Sequence, residues 1–391
     1  MKREKGCNGS ASVGSVEPPS TLEKHLYLRV FRDASLVFIL PDEVFPRDLE
    51  EAEVIVSGLV EVLSELTQAG ARILLLVQVP ERYGSHLREI MGQSMAAMRT
   101  RFLPVTGWQS LLMNHCRASD AVLVGLCSDA TEEAFHSRLV EYAGVLGFSR
   151  MIVLNALGRI QRQDGKPISF VLADGIRKLL IDLPEMPEET LRTLSLVESL
   201  LQQGVESVSL CRIRDLPQEL FTYQGHGTFF SRRHQCDLRR LVWRDYPQAV
   251  SIIGQGEREG FLLPRSEHDL APILAEGYGA FVSGSVMAGV CGLLTSPYLD
   301  ENLGEIVSLY TVTRFKGEGV GRRMIQGLKQ EAARQELNGL FACTTHERVV
   351  AFFQREGFRI VSHDRIPQAK WTHYDEARKR SVVGLVWSIN A

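Results

Sequence analysis

A stretch in the last third of the chain, RFKGEGVGRRMI at 314–325, has residue types suited to holding a phosphate. Its three glycines occupy alternate positions: Gly317, Gly319 and Gly321. Without a Cβ, glycine lets the backbone approach an anion and point successive N–H groups at it. Arg322 and Arg323 follow at the start of a predicted helix, where an exposed cation costs about 0.3–1 kcal/mol. A bound anion would offset that cost, so the stretch predicts a phosphate site.

Two common phosphate loops do not fit this stretch. The sequence contains no GxxxxGK followed by Ser or Thr, and the dinucleotide pattern GxGxxG fails because Arg322 stands in place of its last glycine. The alternative is a glycine turn needed only for close packing, beside two solvated arginines. From the loop alone, both interpretations stay open.

The chain divides into two halves with different predicted elements, and the glycine loop lies in the second. Between 23 and 235, short apolar runs alternate with amphipathic helical stretches, which predicts a parallel sheet covered by helices in one α/β domain. The predicted strands are 35–40, 71–79, 121–126 and 150–157, and the clearest helix is 54–70.

The second half, 236–391, has a different order of elements. Ser266 followed by Asp269 predicts a helix start, and 279–294 predicts a hairpin turning at 283–285. A strand at 305–313 then leads into the glycine loop and its helix. The remaining predictions are one apolar helical face at Met324, Ile325, Leu328 and Ala332, a strand at 339–345, a helix that stops at Gly357 and a final strand at 358–362.

Composition excludes several classes of partner. The 44 basic and 47 acidic side chains give a formal charge of −3 without a basic block, so no nucleic-acid partner is expected. Seven scattered cysteines without CxxC favour reduced thiols in a cytoplasmic protein, with no metal site. The apolar runs are too short to span a bilayer, so no membrane partner is expected. Residues 1–22 are predicted to form a disordered tail.

The glycine loop resembles the acyl-CoA loop of the GNAT acetyltransferase superfamily, in which Gln or Arg stands three residues before GxG. Lys316 takes the Gln/Arg place, which is a departure, while Gly319 and Gly321 match. The hairpin before the loop and AFFQREGF at 351–358 are also similar to that superfamily. The resemblance implies acetyl-CoA as co-substrate. The residues implied to hold it are Tyr310, Thr311, Val312, Lys316, Gly317, Glu318, Gly319, Val320, Gly321, Arg322 and Arg323.

Four further stretches are similar to N-acetylglutamate synthases: 25–40, 219–230, 260–270 and 369–383. The resemblance implies an amino-acid-kinase-like α/β/α sandwich followed by a GNAT α+β domain. It also implies acetyl transfer from acetyl-CoA to L-glutamate, giving N-acetyl-L-glutamate in the first step of arginine biosynthesis. Two alternatives stay open. One is a GNAT enzyme for another amino acid or small amine, and the other is a regulatory pseudo-enzyme that binds acetyl-CoA or amino acids.

The first half resembles the amino-acid kinases without their phosphate-binding elements. Residues 39–42, Ile-Leu-Pro-Asp, stand where those kinases carry Lys-x-Gly-Gly, and Gln78-Val79 stand in place of His-Gly. Phosphoryl transfer needs cations and backbone N–H groups around the phosphates, so no kinase activity is expected. The resemblance implies a role in assembling a homo-oligomer. Whether L-arginine inhibits through this half stays open.

The resemblance assigns chemical roles in the second half. Glu305 matches the family base that takes a proton from the attacking amine, directly or through water. A backbone N–H between Tyr310 and Val312 would stabilise the thioester oxygen. Thr344 or Thr345 would hydrogen-bond the leaving thiolate, because Phe353 stands where many superfamily members have tyrosine.

The acceptor's carboxylates call for arginine, whose guanidinium can bind both oxygens of a carboxylate. The family resemblance assigns this role to residues on either side of the glycine loop. The positions are Arg265, Arg378, Arg380 and Ser381.

Overall fold

The computed structural model describes residues 21–389 apart from 84–85, 118–120, 129–130, 184–185, 233–235, 283–285 and 373, and it leaves out the side chains of Leu22 and Leu49. The tail expected at 1–22 therefore lies outside the described residues, except that Thr21 and Leu22 already belong to the first helix. The predicted hairpin turn at 283–285 also lies outside them.

The first half forms one sheet with helices on both faces. Its elements are α1 (Thr21–Val30), β1 (Ser35–Leu40), α2 (Leu49–Gln68), β2 (Arg72–Gln78), α3 (His86–Ser94), β3 (Thr100–Pro104), α4 (Trp108–Arg117), β4 (Val122–Cys127), α5 (Glu132–Leu146), β5 (Arg150–Leu154), β6 (Phe170–Leu172), α6 (Gly175–Asp182), α7 (Glu188–Gln202), β7 (Ser207–Cys211), α8 (Leu216–Phe221) and β8 (Thr228–Ser231). The strand order is β3-β4-β2-β1-β5-β7-β8-β6, and only β7 and β8 run antiparallel to each other. The predicted parallel α/β sheet is confirmed.

Strand β1 shows why these runs are continuously apolar. Its side chains alternate between two separate cores, one on each face of the sheet. Leu36, Phe38 and Leu40 lie in the first core, and Val37 and Ile39 lie in the second. Because helices cover both faces, the five positions from Leu36 to Leu40 are all buried and apolar, and only Ser35 at the start of the strand is exposed.

The second half forms a separate seven-stranded sheet. Its elements are β9 (Cys236–Arg240), α9 (Tyr246–Arg258), α10 (Glu267–Ala275), β10 (Gly277–Val282), β11 (Val286–Leu294), β12 (Leu303–Thr311), α11 (Val320–Arg334), β13 (Gly339–Thr344), α12 (Glu347–Arg355), β14 (Arg359–Val361), α13 (Glu376–Ser381) and β15 (Val383–Ser388). The strand order is β14-β15-β13-β12-β11-β10-β9, and only β12 and β13 are parallel neighbours.

Most predicted elements of this half are confirmed, with one correction. Ser266 caps α10 by accepting a hydrogen bond from the Asp269 N–H (3.2 Å), and the four predicted core residues of α11 are buried. The strand at 358–362 is not the final one, however. Helix α13 and strand β15 follow it, and β15 pairs between β13 and β14. No described helix is both long enough and apolar enough to cross a membrane.

Candidate active site

A cleft opens where two parallel strands separate. Strands β12 and β13 pair only from Leu303–Gly339 to Glu305–Phe341, although both strands continue beyond that point. The gap is a cavity of about 580 Å³. Its lining comes from the end of β12, the residues after β13, and helices α11 and α12. The residues that the chemistry can use are Leu309, Thr311, Gly321, Thr345, His346 and Phe352.

A bulge in β12 turns part of its backbone toward this cleft. Ser308 has φ 50°, and the register with β11 shifts between Val290 and Gly292. The Val312 N–H donates to the Ala288 carbonyl on β11 (2.8 Å). Successive N–H groups of a strand point to opposite edges, so the N–H of Thr311 points toward the cleft.

This alternation narrows the predicted group of thioester-binding N–H donors. The Val312 N–H is committed to the sheet, and that of Tyr310 points to the same edge, opposite Val290. Of the three predicted positions, only Thr311 directs its N–H to the open edge of β12. By the same alternation the Leu309 N–H joins it, a position that the sequence prediction missed.

The glycine loop has the backbone expected of an anion site. Gly317 and Gly319 have φ of 89° and 78°, values that side chains with a Cβ rarely adopt. Helix α11 begins at Val320, and the Arg323 N–H donates to the Gly319 carbonyl. The N–H groups at the start of an α-helix have no acceptor within the helix. Those of Val320, Gly321 and Arg322 are therefore available to an anion at this end.

The charged side chains of the loop are held by acids. Lys316 Nζ donates to Glu259 Oε2 (2.6 Å) and lies 4.1 Å from the centre of the Phe261 ring. Arg322 Nε donates to Glu356 Oε1 (3.1 Å). Burial raises the pKa of Glu318, the acid inside the loop. An incoming phosphate must therefore compete with Glu259 for Lys316, whereas the backbone N–H groups are open to it.

Glu259, at the end of α9, accepts hydrogen bonds from four side chains. Burial raises its pKa, but the four hydrogen bonds outweigh that effect and lower the pKa to about 2. The carboxylate thus fixes α9, β12 and the loop relative to one another. The donors are Lys316, Gln255, Tyr310 and Thr313. Sequence reasoning missed Glu259, because three of its four partners lie more than fifty positions away in the chain.

Glu305 lies in a closed pocket on the face of β12 covered by the carboxyl-terminal segment. It is 2% exposed, forms an ion pair with Lys370 and accepts a hydrogen bond from the Tyr298 hydroxyl (2.6 Å). Burial lowers the pKa of Lys370, but the Glu305 charge more than offsets this and the pKa is raised. Burial, and then Glu305, raise the pKa of Tyr298. Glu305 is therefore a buried carboxylate with two fixed partners.

Sequence reasoning missed both partners. Lys370 stands in the stretch 369–383, in which only residues from Arg378 onward were assigned a role. A buried carboxylate needs a cation or several donors nearby, so the burial of Glu305 is the signal that would have directed a search for Lys370.

The two predicted threonines differ in their surroundings. Phe341 and Cys343 of β13 pack in the same cluster as Tyr298, on the Glu305 face. Thr344 therefore faces the other way, and its Oγ1 accepts from the His346 N–H (3.2 Å). Thr345 follows the strand and lines the cleft. Of the two hydroxyls, that of Thr345 is the one beside the space between β12 and β13.

The predicted carboxylate-binding residues are on the surface. Arg265, Arg378, Arg380 and Ser381 are all exposed. The Ser381 hydroxyl donates to the Arg378 carbonyl (2.8 Å), and the Arg378 guanidinium lies 4.4 Å from the centre of the Tyr374 ring. The Arg265 N–H donates to Glu257 (3.1 Å). Among the described residues, Arg265 and helix α13 share no hydrogen-bond partner, so the structure gathers the three tail residues but does not join Arg265 to them.

The first domain has a charged pocket at the carboxyl ends of β1 and β2. It is lined by four acids and three arginines: Asp42, Glu43, Glu132, Glu189, Arg47, Arg82 and Arg192. Arg82 pairs with Asp42, and Arg192 pairs with Glu132. Burial, followed by the charges of Glu189 and Glu132, raises the pKa of Glu43 to about 8. Among the described residues, no group of three or more His, Cys, Asp or Glu is arranged to hold a metal ion.

Comparison with known proteins agrees with this geometry. Residues 236–358 match the model of the Acetyltransferase (GNAT) family. The amino-acid acetyltransferase of Shewanella oneidensis is 24% identical over 298 residues, which are 73% of this chain and 65% of that protein. That of Mannheimia succiniciproducens is 29% identical over 168 residues, 43% of this chain and 37% of that protein. The chain thus matches less than two thirds of the length of these relatives.

A solved structure shares the fold of the whole chain. The N-acetylglutamate synthase of Neisseria gonorrhoeae, in complex with coenzyme A and L-arginine, superposes with a TM-score of 0.55 at 19% identity, covering 94% of this chain and 98% of that one. The two-domain order, kinase-like then GNAT, is thereby confirmed as a fold. Residues 236–358 are thus similar to the GNAT acetyltransferase family, and the chain is similar over 73% of its length to an amino-acid acetyltransferase.

Proposed function

We propose that this protein transfers the acetyl group of acetyl-CoA to the amino group of L-glutamate, giving N-acetyl-L-glutamate and CoA. The observation that carries the proposal is the cleft between β12 and β13, which opens beside the N-terminus of α11 and its glycine loop. A thioester and a pyrophosphate on one cofactor need such a pair of adjoining sites. The relatives named as amino-acid acetyltransferases support an amino acid as acceptor.

The backbone holds the cofactor in this proposal. The N–H groups of Val320, Gly321 and Arg322 bind the pyrophosphate at the positive end of α11. The N–H groups of Leu309 and Thr311 at the open edge of β12 hydrogen-bond the arm of acetyl-CoA, and one of them stabilises the oxygen that becomes negative in the tetrahedral intermediate.

The buried position of Glu305 determines the route that the proton takes. The amine nitrogen attacks the thioester carbon after losing a proton, which reaches Glu305 through water because the carboxylate is almost fully buried. Lys370 pairs with Glu305 and holds this side chain in place. The carbon–sulfur bond then breaks as the nitrogen releases its second proton, which the departing thiolate takes up to give CoA. The Thr345 hydroxyl donates a hydrogen bond to the departing sulfur.

Recognition of the acceptor is assigned to the basic tail. The guanidiniums of Arg378 and Arg380 and the hydroxyl of Ser381 are exposed on a short helix beyond Lys370, and Arg265 precedes α10. An exposed guanidinium is free to form a bidentate pair with a carboxylate. Glutamate has two carboxylates, which suits a site with several arginines.

The first domain is proposed to assemble a homo-oligomer and to respond to L-arginine. The N-acetylglutamate synthase of similar fold was solved with L-arginine bound. We also place the protein in the cytoplasm, where its six described cysteines, none of which is in a disulfide, would stay reduced. Light scattering of the purified protein, with and without arginine, measures the assembly, and a monomer in both conditions would contradict that part.

The test of the activity is CoA release from acetyl-CoA, screened over the twenty amino acids with and without arginine. Glutamate-dependent release supports the proposal, and a slower rate with arginine supports control by the first domain. Release with another amino acid would keep the cofactor site and refute the acceptor. Acetyl-CoA binding without release under any acceptor would instead indicate a regulatory pseudo-enzyme.

An acceptor-side variant pair sharpens the assignment. Arg380→Glu should abolish glutamate use while acetyl-CoA binding is retained, because charge reversal repels the carboxylate. The matched control is Arg355→Glu, an exposed arginine at the end of α12 outside the proposed acceptor site. Equal losses in both variants would refute a specific role for the tail.

A further inference from the structure

One contact joins the first domain directly to the cofactor loop. Arg314 lies in the 3₁₀ turn Thr313–Phe315, between the end of β12 and Lys316. Its guanidinium forms an ion pair with Glu219 of α8, in the first domain. The two side chains are 9% and 0% exposed. This is an interior ion pair between domains, two residues from where the glycine loop begins.

The first domain provides a shaped site for this guanidinium. One oxygen of Glu219 accepts from the N–H groups of His226 (3.1 Å) and Gly227 (2.7 Å), and the other binds Arg314 Nη2. Arg314 Nη1 lies 3.5 Å from the Glu219 carbonyl oxygen, so the two ends of the fork engage the same residue. The Phe229 ring centre is 5.3 Å from Cζ, which suits a cation above an aromatic face.

Gly225 is required by this arrangement for two reasons. Its φ is 61°, in the left-handed region, and an added Cβ would stand 2.6 Å from Arg314 Cζ. No side chain could be accommodated there without displacing the guanidinium. The segment 225–229 is therefore folded around a guanidinium, and a point-like ammonium at the same place could not make both contacts with Glu219.

The next residue is anchored in the same domain. Phe315 is 2% exposed and meets Phe170 and Phe229 edge to face, with ring centres 5.2 and 6.3 Å apart. Thr313, on the other side, donates to Glu259 (2.9 Å). Three successive residues before the loop are thus fixed, two of them by the first domain. The path of the chain into Gly317 is set from outside the GNAT sheet.

We propose that Arg314 and Glu219 are positioning residues for acetyl-CoA binding, through which the kinase-like domain holds the entry to the glycine loop. The inference rests on the proposed function, because it assigns the loop to the cofactor. Loop amides bind an anion well only when their directions are fixed in advance. Releasing Arg314 removes the polar one of the two anchors in the first domain and leaves Phe315 alone to hold the entry to Lys316 and Gly317, so part of the binding energy is then spent on ordering them.

The test is CoA binding by calorimetry on the full chain, with chemical rescue. Arg314→Ala should weaken CoA binding about tenfold, within the range typical of coupling between sites. Millimolar guanidinium should restore the affinity by filling the vacated site, and ammonium should not. Glu219→Gln should weaken binding similarly and gain nothing from guanidinium. Arg177→Ala, which breaks the Arg177–Glu198 ion pair within the first domain, is the control and should leave the affinity unchanged.

The outcomes separate this inference from the function on which it rests. Wild-type protein that fails to bind CoA refutes the proposed function. Wild-type binding with equal affinity in folded Arg314→Ala refutes the positioning role, as does a loss that ammonium restores as well as guanidinium does. If Arg314→Ala does not fold, Arg314→Lys decides. A tenfold loss in folded Arg314→Lys supports the role of the fork, and wild-type affinity refutes it.

Discussion

Replacing Lys370 by methionine should destabilise the GNAT domain strongly, because Glu305 would keep a buried charge without a cation. The two side chains are 14% and 3% exposed, so water cannot replace the lost partner. Removing one member of a buried ion pair typically costs about 3–5 kcal/mol. For a domain of this size the melting temperature should fall by roughly 10 °C. Urea unfolding near neutral pH, followed by circular dichroism, measures the free energy directly.

Two further variants determine whether the unpaired charge is the cause. Adding Glu305→Gln to Lys370→Met removes the stranded charge, and the Tyr298 hydroxyl can still donate to the amide oxygen. The double variant should therefore recover more than half of the lost stability. Lys166→Met breaks an exposed ion pair with Asp164 and should leave the stability almost unchanged. If the double variant is as unstable as the single one, packing around Lys370 is responsible and the electrostatic reasoning is wrong.

Three other changes have defined outcomes. Glu305→Gln should slow acetyl transfer by about 10²–10⁴-fold, the usual contribution of a general base, with CoA affinity unchanged in calorimetry. Gly319→Ala should lower the free energy of unfolding in urea by about 1–2 kcal/mol and weaken CoA binding, because the φ of Gly319 is 78°. The control, Gly58→Ala inside α2, should raise the free energy of unfolding by about 0.5–1 kcal/mol. The pKa of Glu259 is lowered from 4.5 to about 2, so the stability that this carboxylate contributes should be complete above pH 4.5 and vanish as the pH falls through 2. Glu259→Gln should therefore flatten that part of an acid-unfolding curve. An unchanged curve would contradict this reasoning.

Local sequence patterns were sufficient to predict the sheet of the first domain. The runs at 35–40 and 71–79 are apolar on both faces at their centres, 36–40 and 73–77, and that pattern follows from helices covering both sides of a sheet. The start of α10 was predicted equally well, since Ser266 and Asp269 are three residues apart and form a hydrogen bond within one turn. In each case the residues that decide the structure are neighbours in the chain.

The missed features depend on distant partners. Lys316 was predicted to meet a phosphate, but its nearest acid is Glu259, 57 positions earlier. The apolar stretch 383–388 follows a charged run and was not predicted as a strand, although it pairs with β13 and β14. Which N–H of β12 faces the cleft depends on the bulge at Ser308, and a serine has no intrinsic preference for a positive φ.

The position of β15 has a consequence for biosynthesis. This strand is the last of the described chain, yet it lies inside the sheet, joined to β13 at six positions and to β14 at three. Domains form during synthesis from the amino-terminal end. The kinase-like domain can therefore complete its sheet while the ribosome is still working, but the transferase sheet stays split until residues 383–388 have emerged. Translation that stops short of them would leave β13 with an open edge, a surface prone to pairing with other chains.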